Sequence, residues 1–412
     1  MNTSSKKGRK KRPIPESALQ GFKYFKVLSP ILQRLHTEKD HQNRELYFDQ
    51  YIALFLFYFF NPTVTSLRAI QQVSELKKVQ NILGVKRTSL GSLSEASYVF
   101  DSQLIAPIIQ QLAEKAIALE TDPKLKAIEK QLVAVDGSLL PALPKILWAL
   151  WLDDEHRAAK LHLEFDIIKS VPIPIRAEVT DGNANEKNNL RKSLSPDKLY
   201  ALDAGYGQYK LFEDIHKANS NFVARLKDNA VWQTIEERPL TESDRLAGAQ
   251  RDLIVRLGSP KCQDDLSIPV RVIDIYPRGS SARPHISRVS SKKTFRTTDS
   301  DYTILLVTDR MDLSAEIIAL IYRYRWQIEL FFRWFKCILG CNHLLSHSEN
   351  GVSIQVYCAL IASMLITLWT GRKPTKRTFE MLCHHFMGWA DDEELFDHLE
   401  KLKQADNKKK NI

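Results

Sequence analysis

The chain has 412 residues, 44% of them hydrophobic and 26% charged, enough to bury a core over roughly two to four domains; it is neither a disordered chain nor a small disulfide-stapled one. Lysine and arginine number 59 against 49 acidic residues, and this formal balance of +10 points toward a polyanionic partner, most often nucleic acid. Five cysteines, scattered from Cys262 to Cys383 behind no signal peptide, fit free thiols in a reducing cytosol.

The chain opens on a basic tail, "KKGRKKR" at 6–12, matched by "KKK" at 408–410. After it, residues 15–125 carry helical periodicity broken at Pro62, Gly84 and Gly91 and read as a helical domain. "YIALFLFYFF" at 51–60 is too short to span a bilayer and stops at Asn61-Pro62, so it reads as a core helix. "SLSE" at 92–95 has capping-box spacing with Ser92 as N-cap. Lys77, Lys78, Lys86 and Arg87 at the helix junctions would suit a DNA reader or, equally, a packing module.

From about residue 127 the period shortens. "KQLVAVDGSLL", "AAKLHLEFDII" and "PIRAEVTDG" read as three strands of a meander. "NEKNNLRKSL" reads as a helix, "KLYALDAGYG" as a strand entering a glycine turn, "QYKLFEDIHKA" as a helix and "NFVARLKDN" as a further strand. This is the order of a ribonuclease-H-like α/β core, a mixed sheet with flanking helices. Residues 229–300 loosen into a Pro-, Ser- and Arg-rich, β-rich insertion before "YTILLVTDR" restores the pattern. The catalytic core is thus expected over 126–345 and a helical region over 346–412, whose apolar stretch 352–370 contains Gln355 and hydroxyl residues and reads as a buried helix rather than a membrane span.

The chemistry concentrates in "YRYRWQIELFFRWFK" at 322–336, where Glu329 is the lone acid among arginines, a lysine and aromatics. On a helix Tyr322, Arg325, Glu329 and Lys336 share an arc of roughly 60°, beside an apolar face of Ile321, Tyr324, Ile328, Phe331, Phe332 and Phe335. Pairing of Glu329 with Arg325 or Arg333 on an ordinary amphipathic helix accounts for it equally well on spacing alone. Asp136 and Asp203 each end an apolar run, where a carboxylate needs compensation that a divalent metal supplies; plain turns are the alternative, and Asp166 and Asp181 occupy comparable places. Two strand-end aspartates and a helical glutamate would suit two-metal phosphodiester chemistry, with Arg325, Arg333 and Lys336 beside them as phosphate contacts.

The spacing Tyr322, Arg325, Glu329, Lys336 resembles the Y-R-E-K signature of the insertion-sequence-four family of DDE transposases, and it follows "VAVDGS" and "LDAGYGQYKLF" in the family's order. The resemblance covers about 127–370. It implies a ribonuclease-H-like core in which Asp136, Asp203 and Glu329 bind two Mg²⁺ ions, with Mn²⁺ able to substitute, and in which Tyr322, Arg325 and Lys336 contact DNA near the cut. It further implies cleavage at the terminal inverted repeats of the element and joining of its 3′-OH ends to target DNA by a homodimer on paired ends, in the cytoplasm at the nucleoid. The family often carries Arg directly after the second aspartate; here Ala204 stands there.

Overall fold

The computed structural model describes residues 23–38, 44–119, 122–153, 155–259, 265–276 and 303–410. The N-terminal basic tail and Cys262 lie outside them. The chain forms two compact units, one of residues 1–104 with 374–412 and one of residues 105–373.

The first unit begins with α1 (Lys23–Leu32), α2 (Phe48–Phe60), α3 (Leu67–Ser74), α4 (Lys77–Leu83) and α5 (Leu90–Val99). The helix α2 is buried almost all round, as a strand-length apolar run without polar breaks requires, and Phe48 stacks on Phe100 at 4.5 Å. Its buried Gln50 donates to the carbonyl of Gly84 at 2.6 Å, fixing the left-handed turn that ends α4. The cap of α5 is Ser89, whose hydroxyl accepts from the Ser92 amide; Ser92 and Glu95 lie inside the helix, three residues later than the capping-box spacing suggests. A serine at both positions makes the motif ambiguous, and the extended backbone of Ser89 decides it.

The second unit opens with α6 (Ala106–Lys115) and α7 (Pro123–Lys126) and then builds one sheet. Its strands are β1 (Gln131–Ala142), β2 (Arg157–Asp166), β3 (Val171–Asp181), β4 (Lys198–Leu202), β5 (Asn221–Arg225), β6 (Trp232–Glu237), β7 (Ala249–Leu257), β8 (Val270–Ile275) and β9 (Ile304–Thr308). The helices α8 (Glu186–Ser193) and α9 (Tyr209–Lys217) make the crossovers around β4, α10 (Glu242–Leu246) sits between β6 and β7, and α11 (Ala315–Arg325), α12 (Gln327–Cys337) and α13 (Glu349–Thr370) follow β9. The order is β3-β2-β1-β4-β5-β9-β8-β7-β6. Its first five strands, an antiparallel meander joined to two parallel neighbours, are the ribonuclease-H-like core. The strands of the expected insertion continue this sheet: β9 pairs antiparallel with β5 on one side and β8 on the other.

Alternation along the strands sorts the two faces. Val133, Val135, Tyr200, Leu202 and Phe222 turn to one face and form a core with Leu190 of α8 and Leu211, Phe212 and Ile215 of α9. The alternate positions carry the small Ala134 and Ala201, which lets α11 and α12 lie close on the other face, with Phe331 of α12 against Phe165 at 5.2 Å.

The helix α13 is long and apolar enough to cross a membrane by length and composition, yet 94% of its apolar window is buried inside the protein. Its fully buried Gln355 accepts from the Leu345 amide at 2.9 Å and donates to the His343 carbonyl at 2.6 Å, so the polar residue that marks this stretch pins the chain leading into it. The chain then returns to the first unit with α14 (Lys376–Phe386) and α15 (Asp392–Lys410), where Phe386 meets Phe60 edge-on at 5.0 Å. The terminal "KKK" forms the last turn of α15.

Candidate active site

The parallel ladder between β1 and β4 runs from Gln131 opposite Lys198 to Ala134 opposite Ala201. Two residues past the last pair stand Asp136 on β1 and Asp203 just beyond the end of β4, near enough for the Asp203 charge to act on Asp136. The strand β4 stops at Leu202 while β1 continues to Ala142. Asp136 is therefore not at a strand end, and not in an Asp-Gly turn; it stands mid-strand at the point where β1 loses one neighbour. Its Oδ1 accepts from the Gly137 amide at 2.8 Å, and Asp203 likewise accepts from the Gly205 amide at 2.8 Å. Each carboxylate is held by the glycine that follows it.

The segment 322–336 reaches this pair as two helices, because the backbone breaks at the exposed Trp326. Tyr322 and Arg325 end α11; Glu329, Arg333 and Lys336 lie on α12. Ile321, Ile328, Phe331, Phe332 and Phe335 are buried as the periodicity predicts, with Trp334 among them. Arg325 is only 8% exposed: its guanidinium donates to Glu329 Oε1 at 2.8 Å and lies 5.4 Å from the Tyr322 ring centre, while its Nε has no partner among the described residues. Glu329 is thus paired with Arg325, and Arg333 points to solvent.

Burial, joined by the charges of Asp203 and Glu186 and opposed by the Gly137 amide and Arg325, pushes the Asp136 carboxyl up to about 7. The same neighbourhood reaches Tyr206, just past Asp203, whose hydroxyl is held well above its ordinary range by burial and by the charges of Glu186, Asp136 and Asp203. Tyr322 is raised by burial against the opposing charges of Arg325 and Arg225. Two neighbouring carboxylates, Asp136 among them reluctant to ionise, suit a hard divalent cation with oxygen ligands. Among the described residues no three acidic, histidine or cysteine side chains converge to grip one ion, since Glu329 is turned to Arg325.

Asp166 and Asp181 are engaged by other groups. Asp166 accepts from Gln131 Nε2 at 2.7 Å and the Lys169 amide at 2.8 Å in the β2–β3 turn, and Asp181 accepts from the Asn183 amide at 2.9 Å. Two residues near the site carry no sequence signal of their own. Glu186, at the first turn of α8, lies against Gly137, and Arg225 ends β5 within electrostatic reach of Tyr322.

A family profile described as a transposase DDE domain matches residues 128–365, more than half of the chain. A protein of Sinorhizobium fredii named as the transposase y4zB is 30% identical over 215 residues, 52% of this chain and 53% of its own length, so the match spans about half of that relative. One of Geobacillus stearothermophilus, named as the transposase for insertion sequence element IS5377, is 28% identical over 69% of this chain and 67% of its own. One of Synechocystis, named for insertion sequence element IS4SA, is 22% identical over 77% and 81%.

Proposed function

Because this chain belongs to the transposase DDE domain family, we propose that it cuts DNA at the terminal inverted repeats of its own insertion sequence and joins the resulting 3′-OH ends to target DNA. What supports the reading is the closeness of Asp136 and Asp203 where β4 gives out, with the Arg325 charge acting on both and Glu329 held by Arg325. Asp136, Asp203 and Glu329 would hold two Mg²⁺ ions, or Mn²⁺ in their place, which supply charge stabilisation for in-line displacement at a phosphodiester.

Glu329 joins that set by leaving Arg325, and Arg325 is then free for a DNA phosphate, which its planar fork binds in two-pronged fashion. Arg325 in this reading is the counter-ion of the carboxylates until substrate arrives; its unpartnered Nε supports the role. Tyr322, beneath the guanidinium, fixes its plane. Arg333 and Lys336, one and two turns on from Glu329 along α12, continue the phosphate-binding surface. With Ala204 after the second aspartate, Arg225 is the cation best placed to supply the missing contact. A homodimer would hold two DNA ends, at the nucleoid, and the helical first unit would take part in DNA binding.

The test is Mg²⁺-dependent cleavage and strand transfer on DNA carrying the gene's flanking repeats, comparing wild type with Glu329→Gln. Activity in wild type alone is expected. Strand transfer retained by Glu329→Gln sinks the assignment, and repeat binding without cleavage by either protein identifies a silent DNA-binding relative.

A further inference from the structure

We propose that the connection between β1 and β2, residues 143–156, docks a second copy of this chain through Leu143, Leu147, Leu150 and Leu152, which rests on the homodimer reading above and gives that homodimer a place on the molecule.

The strand β1 ends at Ala142 and β2 begins only at Arg157, although the two pair as neighbours and a hairpin loop of about two to five polar residues is the usual link. The sides of this longer link differ. Ile146 and Ala149 are fully buried, whereas Leu143, Leu147, Leu150 and Leu152 are 52%, 71%, 50% and 69% exposed. A single exposed leucine is ordinary; four along 143–152 are not. Together they leave bare the equivalent of nearly two and a half leucines. That is roughly 400 Å², about half of the ~800 Å² each partner gives to a standard interface.

The leucines are displayed from a fixed backbone. The Arg157 guanidinium donates to the Leu147 carbonyl at 2.7 Å, and the Ala158 amide to the Ala149 carbonyl at 3.1 Å. Asn183 donates from its amide to the Leu150 carbonyl at 3.2 Å and from its side chain to the Trp151 carbonyl at 2.7 Å. The Trp148 indole donates to the His347 carbonyl at 2.8 Å. Gly182, directly after β3, leaves room for the link: a Cβ there would stand 3.0 Å from the Trp151 Cβ and 3.1 Å from the Leu150 carbonyl oxygen. An apolar surface already ordered loses little freedom when a partner covers it.

Charge selects the partner. Lys145 stands near the start of the link and Asp153 and Glu155 at its end, all exposed. Acids beside the leucines oppose DNA phosphates. The same link laid antiparallel across a twofold axis sets leucines on leucines and turns Lys145 of each copy toward the acids of the other. Asp136 lies on β1 six residues before Ala142, about 20 Å along the strand, so such a pairing joins the two centres through one strand from each copy.

The experiment is sedimentation velocity of the full chain without DNA, up to roughly 100 μM, with circular dichroism reporting the fold. It compares wild type, the double variant Leu147→Glu with Leu152→Glu, Lys145→Glu, and Glu155→Lys. Wild type is expected to dimerise reversibly and the double leucine variant to do so about a hundredfold more weakly. Each charge variant should associate a few-fold more weakly, and an equimolar mixture of Lys145→Glu with Glu155→Lys should regain wild-type association, because opposite charges then meet at both ends. A folding defect cannot produce that recovery, so the mixture decides the matter if the leucine variant is unstable. A wild type that stays monomeric, including one that takes up DNA or lipid vesicles through the leucines, overturns the proposal. So does a dimer unchanged in a folded double leucine variant, or a mixture no better than its components. A dimer that behaves as expected beside a failed repeat-cleavage assay leaves this surface standing and removes the cleavage reading; the reverse pair of results removes this surface alone.

Discussion

Replacing Asp136 by asparagine should stabilise the metal-free protein. The folded environment raises this carboxyl from 3.8 to about 7, through burial first and the neighbouring Asp203 and Glu186 charges after it. A carboxyl raised on folding binds its proton more tightly in the native state, so stability falls as pH rises from the unfolded value through the folded one. The carboxyl moves from 3.8 to about 7 at about 1.4 kcal/mol per pH unit, so Asp136 costs about 4 kcal/mol above pH 7, where it is ionised in the fold, and about 1.5 kcal/mol at pH 5, where the folded carboxyl is neutral and only the unfolded one ionises. Asparagine avoids that cost, and its amide oxygen can still accept from the Gly137 amide. Urea unfolding in chelator at pH 5 and pH 8 should therefore show Asp136→Asn more stable than wild type, with a gap about 2.5 kcal/mol wider at pH 8. A variant no more stable than wild type at pH 8, or a gap that does not grow with pH, refutes the reasoning. Adding Mg²⁺ should reverse the order, because an ion that binds the native state raises its stability by mass action.

Two further expectations concern different parts of the second unit. Arg271 of β8 is fully buried, forked on Asp252 at 3.1 and 2.5 Å and donating to the carbonyls of Arg310 and Leu313; Asp252→Asn removes its ion-pair partner, leaving only the more distant charges of Asp244 and Asp312, and should cost about 3 kcal/mol in urea unfolding, a loss below about 1 kcal/mol counting against it. Affinity for repeat DNA should fall steeply with salt as phosphate contacts release counterions, and removing Arg333 and Lys336 together should lower the logarithmic slope by about 2; an unchanged slope excludes them from the phosphate surface.

Much of this architecture could be read from the chain because it depends on local period. The meander, the β4 and β5 strands and the crossover helices α8 and α9 all sit where alternation and 3.6-residue spacing place them. What the chain did not disclose depends on partners remote in sequence. Asp136 looked like the end of a strand because an apolar run stops there, but β1 continues, and the edge that matters belongs to its neighbour β4. The break at Trp326 has no proline or glycine to announce it, and the helical period runs unbroken through it. Nothing in "NEKNNLRKSL" distinguishes Glu186 from any acid that opens a helix; its place against Gly137 and Lys160 depends on strands remote in sequence. Asp166 and Asp181 became separable from Asp136 and Asp203 once the amides they accept from were known.

The strand β9 deserves a mechanical reading. It is clamped between β5, which begins beside the β4 strand of Asp203, and β8, which lies beyond the ribonuclease-H-like core. Six residues after the end of β9, Ser314 caps the helix α11 that delivers Arg325, with Glu329 a turn beyond. Lengthening a loop between β6 and β8 would leave that arrangement alone, whereas deleting β8 would strip β9 of one of its two ladders. The added strands therefore act as a brace for the glutamate's helix, and the length of the added region is freer to vary than its innermost strand.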